Sequence, residues 1–225
     1  MPEDKISVKD IYKVELIESS LANEWFIKKH YAKRPPITIH CFGLHKDNKL
    51  VGVCNFGPSP NPHLNTIIAG FPCMELNRLI INEGEGKNVL SFFVSQCLIK
   101  LPTKPVAIIS YADSGQNHHG YIYQATNWIY TGMSGENMEY KKNGKNFHPR
   151  TLFSKYGSCG KDTAIENGYE VGNSTAKHRY FYFIGNKKEV KQMRQALPYP
   201  VLSYPKGQNG RYDASFTPKV QSKLF

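Results

Sequence analysis

Between residues 75 and 113 the sequence passes from an alternating segment, through a glycine turn and an apolar helix, to an unbroken apolar run. That succession limits what the chain can become. Glu75 to Ile81 alternates as a strand does. Asn82 to Lys87 holds Gly84 and Gly86 and reads as a turn. Asn88 caps a broad apolar helix from Val89 to Leu101. Val106 to Tyr111 is the short apolar run of a strand buried on both faces, with Asp113 just past its end. Sheet segments alternating with helices in this way predict an α/β or α+β fold around one mixed sheet.

The rest of the chain fits that frame. Ser19 or Ser20 can cap a helix through Leu21, Trp25 and Phe26, whose spacing makes one apolar face. Pro35-Pro36 stops it, so His30 and Tyr31 fall in or just beyond its last turn. Ile37 to Leu44 and Leu50 to Phe56 read as two strands joined by the turn cluster Lys46-Asp47-Asn48. Pro58, Pro60 and Pro62 make the segment from Gly57 a loop. Gly120 to Asn127 looks like a short helix, Trp128 to Thr131 a strand, and Arg179 to Ile184 a last aromatic strand. Lys141 to Lys161 is polar and basic and reads as loop or irregular structure, and the segment after Pro198 as a basic loop with Lys219 and Lys223 near its end.

At 225 residues, 40% hydrophobic and 21% charged, the composition is globular and fits a single domain over 1–225. No apolar run approaches the ~20 residues that span a bilayer. The start, Met1 to Lys5, lacks the pattern of a secretory signal, so a cytoplasmic protein with no membrane contact is expected. Cysteines 41, 54, 73, 97 and 159 are widely spaced without a C-x-x-C pair and read as reduced thiols acting as small hydrophobes.

The formal charge of +11 attracts nucleic acids, acidic proteins or membrane surfaces. It is clustered. Lys141 to Lys161 holds six Lys or Arg and no acid, Lys28 to Arg34 is a second cluster, and Lys177-His178-Arg179 a third. Within the first, Phe147, His148, Phe153 and Tyr156 interleave with Arg150 and Lys155, a pattern that neutralises phosphates and offers rings to bases, or else a solvated loop.

Several groups can carry chemistry. The Gly84-x-Gly86 turn can present backbone N–H groups to a phosphate at a helix N-terminus, or is simply a tight connection. Asp113, at a strand end, can act as a base or orient an amine, or cap the next turn. Tyr123, ten residues on, can protonate a leaving group or bind an oxyanion, or pack. The two meet if the strand end and the helix face one cleft. His30 titrates near neutrality and can act as base or meet the helix C-terminal carbonyls. The eight histidines form no H-x-x-x-H pair, and no metal site is expected.

The run from Glu75 to Gly132 resembles the core of the GNAT acyltransferase fold, in which a strand leads to a phosphate-binding loop and helix, then to a second strand splayed from the first. Tyr123 stands where such proteins often carry a general-acid tyrosine. More narrowly, His30-Tyr31, Gly52 to Gly57, Glu75-Leu76-Asn77-Arg78-Leu79, Ser110-Tyr111-Ala112-Asp113, His118-x-Gly120-x-x-Tyr123-Gln124-Ala125, Asn127-Trp128 and Lys177-His178-Arg179-Tyr180 resemble the Mom family of phage DNA-modification proteins. The resemblance implies a GNAT-like mixed central sheet flanked by helices, with a basic loop insertion at about 133–176. It implies a transferase in the host cytoplasm that converts adenine in double-stranded DNA to its carbamoylmethyl derivative at the exocyclic amine, protecting the DNA from restriction.

On that resemblance Asp113, Tyr123, His30 and Tyr31 are the catalytic candidates. Substrate and donor fall to Asn77, Arg78, Gly84, Gly86, Asn88, Ser91, His118, Asn127 and Trp128. DNA falls to Lys28, Lys29, Lys33, Arg34, Lys145, Arg150, Lys155, Lys177, His178 and Arg179. Glu83 and Glu85 put negative charge where a pyrophosphate would sit, so a glycyl-tRNA stands beside an acetyl-CoA-like molecule as donor. The base must leave the stack to react. Two other readings stay open: a GNAT N-acetyltransferase acting on a small amine or protein, and a non-catalytic DNA-binding protein.

Overall fold

This computed structural model describes residues 7–136, 138–147 and 149–207. A short helix α1 (Val8–Ile11) leads into an edge strand β1 (Tyr12–Leu16) and then α2 (Ser19–Glu24). Glu18 occupies the cap position, so neither Ser19 nor Ser20 caps α2 as expected. The helix continues as one wide π turn, Trp25–Lys29, closed by His30 N–H donating to the Trp25 carbonyl at 3.0 Å. The extra residue in that turn rotates the buried face. Ala22, Trp25, Phe26 and Lys29 point inward, and Leu21, expected on the apolar face, is exposed. His30 follows in extended conformation, just past the last turn.

Strands β2 (His40–Lys46) and β3 (Lys49–Pro58) form a hairpin. Its turn residues Asp47 and Asn48 have φ of 49° and 60°, the positive values that a two-residue hairpin turn needs. After α3 (Leu64–Ile67) come β4 (Cys73–Ile81), α4 (Val89–Lys100) and β5 (Val106–Asp113), the succession read from the sequence. Helix α4 buries Val89, Phe93, Val94, Cys97 and Leu98 as one stripe. Each large side chain in it contributes about 1.5–3 kcal/mol of burial. A 3₁₀ turn (Ser114–Gln116), α5 (Tyr121–Ala125) and β6 (Ile129–Met133) follow.

The segment expected to be a basic loop is folded instead. Strands β7 (Met138–Lys142) and β8 (Lys145–Phe147), helices α6 (Pro149–Tyr156) and α7 (Lys161–Glu166), and strand β9 (Glu170–Asn173) make a small sheet, ordered β8-β7-β9, with two helices. Tyr140, Leu152, Ala164 and Tyr169 form its core. The chain then returns through β10 (Lys177–Ile184) to α8 (Lys187–Gln195), and the segment after it packs back with Tyr199 on Phe181 and Tyr204 on the Trp128 carbonyl.

The main sheet has the order β1-β2-β3-β4-β5-β10-β6. It is antiparallel except between β4 and β5, where only Cys73 to Glu75 pair with Ala107 to Ile109. Beyond Glu75 and Ile109 the two strands separate. Helices α4 and α5 cover one face over a core that includes Phe42, Phe56, Phe93, Ile108 and Tyr123. The other face is covered in two parts. Trp25 and Phe26 pack on Cys41, Val53 and Ile80, and α3 and α8 pack on Ala107, Ile109 and Phe181. This mixed sheet, flanked by helices and opened at its one parallel pair, is the GNAT-like architecture that the resemblance implied. Among the described residues no helix is long and apolar enough to cross a membrane.

Candidate functional site

Where β4 and β5 part, main-chain groups lose their partners across the gap and side chains take over. Ser110 Oγ lies 2.7 Å from the Leu76 carbonyl oxygen and 2.7 Å from Tyr123 Oη. A carbonyl only accepts, so Ser110 gives its proton to Leu76 and Tyr123 donates to Ser110. Tyr123 is buried against Trp128 and Tyr180, and burial pushes its phenol above the ordinary tyrosine range.

On the opposite face of the gap lies a half-buried polar cluster. Glu75 is the last residue of β4 paired with β5, and its carboxyl has no hydrogen-bond partner among the described residues. Burial raises its carboxyl to about 6, against the pull of Arg78, Lys177 and Arg34. Arg78 donates to the Asn77 carbonyl at 2.6 Å and to the Arg34 carbonyl at 3.3 Å, and its buried Nε has no partner among the described residues. Tyr31 stacks on His30 with ring centres 4.3 Å apart and meets His118 edge-on at 6.1 Å. Burial pushes its phenol up to about 12, with Asp113 adding to the rise and Arg78 opposing it. His30 is pressed down to about 3, first by burial and then by Arg78, His118, Lys177 and Arg34, so its imidazole is neutral at working pH. Its Nδ1 accepts the Ala32 N–H at 3.1 Å.

Asp113 does not meet Tyr123. Along β5 the even residues Val106, Ile108 and Ala112 share the core that holds Tyr123, while Ala107, Ile109 and Tyr111 face the other side. Period-two alternation sends Asp113 with the second set. Its Oδ1 accepts Gly115 N–H at 3.0 Å and the Thr175 hydroxyl at 2.8 Å, and Oδ2 lies 3.5 Å from Lys177 Nζ. The carboxylate therefore caps the next turn and also faces the cleft. The Tyr31 phenol is raised in part by Asp113, and Tyr31 in turn adds to the rise of Tyr123. The structure thus gathers His30, Tyr31, Arg78, Asp113 and His118 as expected, adds Lys177, and brings in Glu75, which the sequence reading left among the strand residues.

Several expected contacts are corrected. Trp128 is fully buried under Tyr182 and Tyr123 and has no exposed surface to offer a substrate or donor. Lys29 is buried, its Nζ 3.4 Å from Asn82 Oδ1 and 5.9 Å from the Trp25 ring centre, because the π turn rotates it inward. His178 is buried between Tyr130 (2.9 Å) and His119 (3.4 Å). Arg179 clamps Thr131 at 3.0 Å and 2.9 Å and lies 3.5 Å over the Tyr199 ring. Lys28 pairs with Glu24 at 2.5 Å. Lys33 and Arg34 are exposed beside the cleft, and Lys145 and Lys155 on the small sheet and α6. The Arg150 side chain, His148, Lys219 and Lys223 lie outside the described residues.

At the glycine turn Gly84 has φ of +80° and open space around it. Asn88, also left-handed at 66°, precedes α4 without capping it through its side chain, and Ser91 donates to the Asn88 carbonyl at 3.0 Å. Glu85 is turned back from the turn. It accepts the Tyr12 hydroxyl at 2.5 Å and lies 3.7 Å from Lys46. Asn127 is exposed, and Asn77 bonds Asn55 and the Ile37 carbonyl. Two surface hollows, of about 410 Å³ beside Gly185 and Arg194 and about 180 Å³ beside Glu15 and His45, lie elsewhere. Among the described residues no three His, Cys, Asp or Glu are grouped to hold a metal.

A mixed sheet splayed at one parallel pair, with a glycine turn into α4 and polar side chains in the gap, defines a GNAT-type acyltransferase fold. The chain belongs to the Mom protein family, whose family model it matches over residues 11–206. Among solved structures it is similar to a GNAT-family acetyltransferase from Bacillus cereus ATCC 10987, at 13% identity, covering 77% of this chain and 97% of that one with a TM-score of 0.41. It is similar also to a GNAT-family acetyltransferase from Elizabethkingia anophelis with acetyl-CoA bound (10% identity, 78% and 99% covered, TM-score 0.41). A third is the ribosomal-protein-S5-alanine acetyltransferase from Vibrio fischeri (12% identity, 76% and 92% covered, TM-score 0.42). No curated protein matches the sequence.

Proposed function

We propose that this protein modifies adenine in double-stranded DNA at its exocyclic amine, attaching a carbamoylmethyl group built from a glycyl unit and so shielding phage DNA from restriction. Membership of the Mom family supports the reaction class. The observation that carries the chemistry is Glu75, a half-buried carboxyl raised to about 6 among the cations Arg78, Arg34 and Lys177. A base with that value is ionised at neutral pH and takes a proton readily.

The amine of an extruded adenine attacks the glycyl ester carbon of a glycyl-tRNA. Glu75 accepts the amine proton as the C–N bond forms. The Nε–H of Arg78 and its positive charge stabilise the developing oxyanion. The ester C–O bond breaks, and the departing ribose oxygen takes a proton from Tyr31. Asp113 and His30 fix Lys177 and Tyr31 in place. The glycyl amine then attacks the ring carbon that bears the amide, giving a five-membered spiro ring. This ring opens by breaking the old carbon–nitrogen bond. The glycine nitrogen ends on the purine, and the original amine nitrogen becomes the terminal amide.

An acyl-CoA donor to a small amine is the second reading. The withdrawal of Glu85 toward Tyr12 and Lys46 favours it, because it clears charge from the turn at Gly84. Acetyl-CoA turnover in the absence of DNA would support it. Feeding glycine labelled with heavy nitrogen to cells expressing the protein tests the first reading. Beyond the label that purine synthesis puts into every adenosine, label is expected on the exocyclic nitrogen bonded to the purine ring of a new adenosine species. Label in the terminal amide excludes the migration, and a new species with no more glycine-derived nitrogen than the unmodified adenosine of the same cells overturns the reading.

A further inference from the structure

We infer that Ile37 is the apolar wedge that enters the base stack and holds the duplex open while the target base is out. The inference rests on the DNA reading above. Ile37 is a large β-branched side chain, 65% exposed, and a surface isoleucine by itself signifies little. What sets this one apart is the rigidity of its backbone. Pro35 and Pro36 stiffen the approach. The Ile37 carbonyl accepts both Asn77 Nδ2 at 3.3 Å and Asn55 Nδ2 at 3.4 Å. Thr38 donates to Asn55 Oδ1 at 2.8 Å, and Ile39 N–H donates to the Phe56 carbonyl at 2.7 Å. Asn55, fully buried, and Asn77 are themselves joined at 2.8 Å.

This arch crosses β3 at Gly57, where a Cβ would come within 2.5 Å of Asn77 Nδ2 and drive into the Ile37 carbonyl. Gly57 is the register partner of Glu75, so the arch stands beside the proposed base. The arch begins at Lys33 and Arg34, both exposed, and the Arg34 carbonyl is held by Arg78. An apolar side chain fixed outward on a stiff arch, flanked by the exposed cations Lys33 and Arg34 and next to Glu75 through the Gly57 register pair, fits one occupant. That occupant is a base step of duplex DNA, since apolar wedges insert between steps and unstack them.

The test uses a set of duplexes in which 2-aminopurine replaces adenine at successive positions, together with the full chain, Ile37→Ser and Ile37→Leu. Unstacking raises 2-aminopurine fluorescence, and anisotropy of end-labelled duplex reports binding. With wild type and Ile37→Leu the fluorescence should rise at one or more positions. With Ile37→Ser the rise should be lost at unchanged binding, and duplex modification should fall about tenfold or more while single-stranded DNA is modified as before. Equal fluorescence for Ile37→Ser and wild type overturns the wedge, as does equal modification of duplex by the two. Failure of the adenine reading looks different: unstacking would be seen, but nucleoside analysis would show no modified adenosine with wild type.

Discussion

Replacing Glu75 with Gln should make the protein more stable and inactive, and the size of the gain follows from the cleft. Burial holds the carboxyl at about 6 in place of its ordinary 4.5. One pH unit corresponds to about 1.4 kcal/mol, so ionising Glu75 in the folded chain costs about 2 kcal/mol more than in the unfolded chain. The sign is that of a raised acid. The folded state binds the proton more tightly, so the cost is absent below pH 4.5 and complete above pH 6. Glutamine mimics the protonated form at every pH. The variant should therefore match wild type near pH 4 and exceed it by about 2 kcal/mol at pH 8, or about 4–8 °C in Tm for a chain of this size. Urea titrations of both proteins at several pH values measure the difference, in which other titrating groups cancel. A variant less stable than wild type at pH 8 would refute the reasoning, since Glu75 would then be a structural partner of Arg78 and Lys177 and not a desolvated base.

Other outcomes follow from the same geometry. The rate of DNA modification should rise with pH through about 6 as Glu75 ionises, with no inflection from His30, which stays neutral down to about 3; an acid limb at 4.5 would remove Glu75 from the role. Gly57→Ala should cost about 2–4 kcal/mol by urea titration, from overpacking and the strained Ile37–Asn77 bond, and a loss under about 0.5 kcal/mol would mean the arch moves freely. Lys145→Ala with Lys155→Ala should lower the magnitude of the salt slope of DNA binding by about 2, read from affinity against salt concentration. Lys29→Met should leave that slope unchanged, because Lys29 lies inside beneath Trp25.

What the sequence made legible was the frame. The alternation of β4, the glycine turn, the α4 stripe and the apolar β5 each carry a local period, and the Asp47-Asn48 turn carries its own φ requirement. Helix α8 escaped notice because its main burial is Met193 alone, which leaves no apolar period to read. The small sheet reads as loop in the sequence because each element gives only one or two side chains to a tiny core, and lysines fill the positions between. Charge was read without direction. Lys29, His178 and Arg179 sit in basic runs, yet a π turn and strand alternation turn them inward, which spacing alone does not reveal. Glu75 became a site residue only because β4 and β5 part right after it, and that divergence is a property of the assembled sheet. The same assembly put Asp113 and Tyr123 on opposite faces of β5.

The central claim is that this cleft performs adenine chemistry on DNA. Mass spectrometry of nucleosides from plasmid DNA, recovered after expression in a bacterial host, tests it most directly. Wild type should yield an adenosine species heavier by one glycine residue, and Asp113→Ala and Glu75→Gln should yield none. Unmodified adenosine with wild type, or the same new species with both variants, would contradict the account.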